Sequence, residues 1–579
     1  MNARQKNKFK NAFLGAMAWV LIFALLFGPA SFSISHAAVQ RQSYIVQGAS
    51  TEEVVRLVEQ VDGVVTSRLE IINGAGALLS PEAADRLAAE PGVRITVNMQ
   101  MQVDSTFEAP TAAKAGQKNP VTDYPDVVGA DAVWAAGVTG NDVTVALLDT
   151  GITKLTGLVK PGHGGGFRLL AWQDFVDRTG KGKVVDPNGH GTHVAGIVAN
   201  SDVGADGEWN GVAPDVNLIA GRVADENGFA TYESVIKGIA WVVATRNRYN
   251  TRVLNFSMSG APRTPYWADP VNQALMVAWQ KGIVVVTSAG NNGPNAKTIG
   301  IPGNNPYLIT VGAFTDAYTP ADWSDDYIPS FSSAGPTLDG FVKPDLVAPG
   351  GHMVSLIDKD SQLAKAHPEN MVGKTYFKLA GTSQATAVVT GIVALMLQRN
   401  PKMTPDLVKN RLRAAAIPQF NPETHEAGYS VWQQGAGRAF APLAVFAKLD
   451  VPAKTGMNIA ADLANQKHYL GYSYTDDAGI YRLFGDDGTW AGGAGVWDGQ
   501  TIPVGGGFWG DGGFWGDGGF WGDAGFWGDA GFWGDAGFWG DTGFWDAAGF
   551  WGDTGYWDAA GFWGDGGFSA LFSNRRSRA

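Results

Sequence analysis

Five largely apolar runs constrain the fold more than any other feature of the sequence. They lie at residues 143–148, 216–222, 253–257, 283–288 and 308–313, and helical patterns such as 232–245 and 269–281 fall between them. A strand without polar alternation has to be covered on both faces. Strands of that kind separated by helices form a parallel sheet between helical layers. Residues 127–449 are therefore expected to be one large α/β domain. The chain has 579 residues, too many for that domain alone. Its net charge of −12 argues against a nucleic-acid partner. It contains no cysteine, which removes disulfides, zinc–thiolate sites and a cysteine nucleophile together.

The flanking segments differ in character. Residues 1–38 carry Arg4, Lys6, Lys8 and Lys10, then an apolar stretch at 13–27, then Ser35-His36-Ala37. This order reads as a secretory signal, with a lone membrane anchor as the alternative, and either exports the rest of the chain. Residues 39–103 follow a β-α-β-β-α-β pattern, a split βαβ unit of α+β type, with Ser80 and Pro81 opening its second helix. Residues 104–126 are a polar connector expected to be exposed and cleavable. Residues 450–505 show little periodicity and read as a linker or small accessory region. From 506 to 568 a GFWGD(G/A/T) hexapeptide repeats, followed by a basic end at 569–579.

Four stretches carry chemistry. The run 143–148 ends in Asp149-Thr150-Gly151, placing an acid just past a strand's carboxyl end, where open sheets face their ligands. A turn-forming Asp is the plainer account. Asn188-Gly189-His190-Gly191-Thr192-His193 opens an apolar helix. A metal pair made of His190 and His193 lacks a third ligand nearby, so His190 is better suited to proton transfer. Ser288-Ala289-Gly290-Asn291 ends another buried strand, and Asn291 is either a turn residue or a donor to an oxyanion. Ala380-Gly381-Thr382-Ser383 leads into an apolar helix. Ser383 is either its cap or a nucleophile beside unpaired helix N–H groups.

The four motifs in this order resemble those of the subtilisin-like serine proteases, the subtilases. The resemblance extends over about 127–449, and the 39–103 unit is similar to the family's inhibitor-type prodomain. It implies a subtilisin-like fold and a triad in which Asp149 orients His190, His190 takes the proton of Ser383, and Ser383 attacks the scissile carbonyl. Asn291 and the Ser383 N–H would form the oxyanion hole. His193 would be structural. Ser257, Met258, Ser259 and Gly260 resemble the strand that pairs with substrate backbone, and Gly228, Phe229 and Ala230 the opposite rim. Ile301-Pro302-Gly303 resembles the family's cis-proline turn. The small, uncharged walls near 257–260 and 288–291 weakly favour apolar or large side chains at the cleavage site.

The resemblance also has departures and open points. Gln384 and Ala387 stand where the family usually has Met and Pro. No cofactor is required for the chemistry. A structural calcium is an open reading: Asp202, Asp206 and Glu208, within 201–211, could hold a hard cation, and a solvated acidic loop accounts for them as well. In an extended strand the repeat would place Phe on one face and Trp on the other, and exposed aromatics at this density imply an interaction, with cell surface or polysaccharide as candidate. The expected protein is a secreted bacterial serine endopeptidase, extracellular or surface-associated, made as a zymogen. Its partners would be polypeptide substrates and its own prodomain. The alternative is an inactive surface-binding protein that uses the fold as a scaffold and the tail for attachment.

Overall fold

A computed structural model describes residues 40–483 apart from 107–120, 160–165, 178–181, 321–322, 324–325, 419–428 and 449–450, and also residues 496, 497 and 499. The signal-like segment 1–38, most of the connector, the repeats at 506–568 and the basic end at 569–579 lie outside the described residues.

The N-terminal unit is an antiparallel sheet of β1 (Gln42–Gln47), β2 (Val64–Leu69), β3 (Gly74–Leu79) and β4 (Arg94–Val97), in the order β2-β3-β1-β4. Helices Thr51–Gln60 and Pro81–Ala88 start where the side chains dictate. Ser50 accepts from the Glu53 N–H and Ser80 from the Ala83 N–H, and Pro81 fills a position whose N–H would have no partner. Val46, Val54, Val58, Ala77, Leu79 and Leu87 close a core of its own. The unit sits on the larger domain through Thr66, which donates to Glu233 at 2.9 Å, and Asn98, which accepts from the Glu233 N–H at 3.0 Å. One further strand, β5 (Gln100–Val103), leaves this unit and pairs elsewhere.

The large domain is built on seven parallel strands: β6 (Thr144–Asp149), β7 (Leu169–Asp174), β8 (Asn217–Arg222), β10 (Thr251–Phe256), β12 (Val284–Ser288), β13 (Ile309–Phe314) and β14 (Leu346–Pro349). Their order is β14-β13-β12-β10-β6-β8-β7. Every residue of β6, β12 and β13 is buried, so both faces of the sheet are covered. Helices His190–Ala199 and Thr382–Arg399 pack together, as do Tyr232–Tyr249 and Pro270–Gln280. The apolar runs anticipate five of the seven strands. β7 is an edge strand with only partial burial, and β14 is four residues long, so neither presents a continuous apolar signal.

Two short strands, β9 (Phe229–Thr231) and β11 (Met258–Ser259), stand apart from the large sheet, and β5 lies between them, antiparallel to both. Residues 451–483 also pack against the main core. Asp462 is buried and accepts from Tyr266 Oη at 2.5 Å and Tyr307 Oη at 3.0 Å, and Trp497 stacks on Trp432. Among the described residues, no helix is long and apolar enough to cross a membrane.

Candidate active site

The chemistry-bearing residues gather where the parallel strands end. Asp149 is the last residue of β6, Ser288 the last of β12, and Ser257 follows β10. His190 and Ser383 open the two helices that cross this edge, each at the N-terminal turn. The chain is thus turned so that strand ends and helix starts face one another across a single cleft.

His190 Nδ1 donates to Asp149 Oδ1 at 2.7 Å, and both groups are completely enclosed. Asp149 Oδ1 also accepts the Thr150 N–H at 2.8 Å. Burial alone would lower the His190 pKa, but Asp149, with smaller contributions from Asp186 and Asp104, outweighs it and the net shift is upward. His190 Nε2 has no hydrogen-bond partner among the described residues. Ser383 Oγ instead donates to the Ser257 carbonyl at 2.9 Å and accepts from the Asp104 N–H at 3.1 Å.

Asn291 Oδ1 accepts from the Thr382 N–H at 3.0 Å and from Thr382 Oγ1 at 2.9 Å, which fixes the amide orientation. Its Nδ2 is buried and has no hydrogen-bond partner among the described residues. The Ser383 N–H donates to the Asp104 carbonyl at 3.3 Å. A Cβ on Gly381 would stand 2.4 Å from that carbonyl oxygen and 3.0 Å from Asn291 Nδ2. A side chain at position 381 would therefore crowd both the Asp104 carbonyl, which the Ser383 N–H meets, and Asn291 Nδ2.

Gln102 pairs with Phe229 and Ser259, Met101 with Ala230, and Val103 with Met258, while the Val103 N–H donates to the Gly228 carbonyl at 3.1 Å. Ser257 accepts from the Asp104 N–H at 3.4 Å, and Gly260 exchanges hydrogen bonds with Ile301, whose bond to Pro302 is cis. Beyond Asp104, Thr106 exchanges backbone hydrogen bonds with Ala380. Six of the seven residues expected at the two rims pair with one extended segment of the same chain, while Gly260 pairs with Ile301.

Local pattern did not single out two acids. Asp186 is buried and accepts from Thr150 Oγ1, the Gly189 N–H and both donors of Thr192, so it ties the turn after Asp149 to the start of the His190 helix. An acid four residues ahead of a helix start was a usable capping signal. Asp104, in a polar stretch, carried none. His193 is structural: its Nε2 lies 3.0 Å from the Phe377 carbonyl and 3.2 Å from that of Met353, and burial pushes its pKa down to about 3.

The three carboxylates considered for a cation do not converge. Asp202 accepts from Tyr376 Oη at 2.9 Å and Asp206 from the Glu208 N–H, whereas the Glu208 carboxylate lies beside Asp126 and Asp131. The 201–211 loop turns Glu208 towards Asp126 and Asp131, away from the other two acids. Gln384 is buried next to Ser383. A Gln384→Met variant is expected to lose activity to hydrogen peroxide faster than the wild type, because a thioether there oxidises to a bulkier sulfoxide at the nucleophile. Residual peptidase activity after timed peroxide exposure measures this, and equal decay would refute it.

Comparison with known proteins gives a consistent result. A family model described as the subtilase family, Peptidase_S8, matches residues 140–441. The serine protease AprX of Bacillus subtilis (strain 168) is 37 % identical over 356 residues, covering 60 % of this chain and 75 % of the relative. Subtilisin DY of Bacillus licheniformis is 35 % identical over 292 residues, covering 50 % and 89 %. Among solved structures, fervidolysin of Fervidobacterium pennivorans, a keratinolytic enzyme related to subtilisin, aligns with a TM-score of 0.54 at 22 % identity. The alignment covers 80 % of this chain and 74 % of that one, and the likeness is one of fold.

Proposed function

The chain belongs to the subtilase family and is a serine-type endopeptidase, and from that premise we propose that it is made as a self-processing zymogen using Asp149, His190 and Ser383 as its triad. Ser383 Oγ attacks the carbonyl carbon of a peptide bond while His190 Nε2 takes its proton. The carbonyl oxygen becomes an oxyanion held by the Ser383 N–H and Asn291 Nδ2. His190 then protonates the departing amine, and water hydrolyses the acyl-enzyme by the same route in reverse. Asp149 holds the ring in the tautomer that leaves Nε2 free to accept. The acyl transfer uses only groups of the chain itself.

The observation that carries this reading is the extended segment between β9 and β11, with the Asp104 carbonyl on the Ser383 N–H. A peptide in that position is bound as a substrate would be. Residues 39–103 would then be the intramolecular inhibitor and folding aid. The turn of Ser383 Oγ towards the Ser257 carbonyl fits a precursor that has not yet reacted. Export rests on the basic and apolar pattern of residues 1–38, and surface attachment on the aromatic repeats at 506–568. No observation favours the non-catalytic scaffold.

A fluorophosphonate probe tests the assignment. A single adduct that maps to Ser383 in the processed chain is the expected result, and a folded, processed chain that remains unlabelled would refute it. Replacing Asn291 by Ala should lower kcat by about 10²–10³-fold with little change in KM, the size known for such a donor in a subtilisin. Steady-state kinetics on a peptide anilide read this directly, and a change confined to KM would remove Asn291 from the oxyanion hole.

A further inference from the structure

The side chain of Asp104 points into the pocket beside Ser383 and is almost fully buried there. Ser259 Oγ donates to its Oδ1 at 2.6 Å and Ser288 Oγ to its Oδ2 at 2.5 Å. The two serines stand on opposite walls, one in β11 and one at the end of β12. The pocket is also short. A Cβ on Gly300 would lie 2.8 Å from Ser259 Cβ, and one on Gly290 would lie 3.5 Å from Ser259 Oγ, so the Ser259 side chain fills the space between these glycines. These contacts favour a short polar side chain over the apolar or large ones expected at the cleavage site.

We propose that Ser259 and Ser288 make this subsite selective for a short side chain ending in a carboxyl or carboxamide, and that the bond cut in maturation is Asp104–Ser105. The assignment rests on the serine-protease reading of Ser383. Ser383 Oγ forms an ester with the Asp104 carbonyl carbon, and its proton passes to His190 Nε2. The Asp104–Ser105 C–N bond breaks, and that proton leaves on the new amine of Ser105. Water then cleaves the ester, leaving Asp104 with a free α-carboxylate and restoring the Ser383 hydroxyl.

Removal from water favours the neutral form of a carboxyl, whereas the two hydroxyl donors favour the ionised one. Burial pushes the Asp104 carboxyl up to about 6, ahead of the opposing hydrogen bonds from Ser259 and Ser288. The charged or titratable groups that act on it are His190, which favours the ionised form, and Asp149, which opposes it. β11, β12 and the turn at 381–383 bring none. The docked state therefore binds the proton more tightly than the free segment, whose carboxyl titrates near its ordinary value of about 4. Docking of an Asp is fully favoured below that value and weakens as the pH rises through about 6.

The test uses the full-length chain and its processed form, with casein hydrolysis and probe labelling as independent readouts. Intact-mass analysis of the earliest fragments should find the N-terminal piece ending at Asp104. Asp104→Asn should be cut at the same bond. Asp104→Phe should not be cut there, and adding Ser259→Gly should restore the cut. On peptides that differ only at this position, Asn should be turned over about 10–10²-fold faster than Phe. The Asp-to-Asn ratio of kcat/KM should fall by about 10-fold or more between pH 4 and pH 7. A chain that digests casein and labels at Ser383, yet cuts first at another bond or prefers Phe, overturns this assignment and leaves the protease reading standing. A chain that neither labels nor digests casein overturns both.

Discussion

A Ser383→Ala chain will hydrolyse peptides about 10⁶-fold more slowly than the wild type and will persist as one unprocessed polypeptide, the loss known for the same change of nucleophile in a subtilisin. The substitution is a clean probe because little else depends on the hydroxyl. Alanine is the best helix former, and Ser383 stands in the first turn of Thr382–Arg399. The Ser257 carbonyl loses one donor and the Asp104 N–H one acceptor, while their mutual contact at 3.4 Å remains, so the structural cost is at most two hydrogen bonds, roughly 2 kcal/mol. The Ser383 N–H and Asn291 remain, so a residual rate above the uncatalysed one is expected. Single-turnover hydrolysis and intact mass over several days check both halves. A variant that still matures at more than a thousandth of the wild-type rate would place the nucleophile elsewhere.

The second large effect concerns stability. Asp345 is buried between two ammonium groups: Lys343 Nζ at 2.6 Å from Oδ2 and Lys409 Nζ at 3.1 Å from Oδ1. Oδ2 also accepts the Thr310 N–H at 2.9 Å, tying the group to β13. Burial by itself would raise the Asp345 pKa, but Lys343, Lys409 and Arg413 together hold it down to about 2. Burial pushes the pKa of Lys409 down and that of Lys343 well below its ordinary value, and Asp345 is the charge that opposes this, so replacing Asp345 by Asn removes their counter-charge and should destabilise the domain by about 3–5 kcal/mol. Denaturant unfolding in the Ser383→Ala background, where self-digestion is absent, measures this. A loss under about 1 kcal/mol would mean that backbone carbonyls such as those of Leu308 and Pro306 suffice for the two lysines. A depressed carboxylate contributes stability above its ordinary value of about 4 and loses it as the pH falls through the folded value, so the gap between Asp345 and Asn should close in strong acid, towards about pH 2.

The legible parts of this molecule share one property: their signal is local. A run such as Thr144–Asp149 announces burial on both faces through its own composition, and Asp149, His190, Asn291 and Ser383 each lie at or just past a strand end or in the first turn of a helix, within two residues of a glycine. What escaped the sequence depends on partners far along the chain. β5 is four residues with modest alternation, and its neighbours are more than a hundred residues away on both sides. Ser259 and Ser288 are small and uncharged as letters, and their meaning comes only from the Asp104 carboxyl between them. Residues 451–483 lacked periodicity because single side chains such as Asp462 anchor them, and no repeating face does so.

The position of β5 between β9 and β11 bears on which proteins a mature enzyme of this design can digest. If processing removes β5, the cleft becomes a sheet missing its middle strand, with one row of backbone donors and acceptors exposed on each rim. A protein segment can fill that gap only as a bare, extended strand that gives up its own backbone partners on both sides. Helices and paired strands cannot enter while they are folded. Digestion of a compact protein is then limited by how often a stretch of that length opens, and the enzyme acts as a reader of local stability in its targets. Unfolded chains, loops and frayed termini are cut first, whatever their origin.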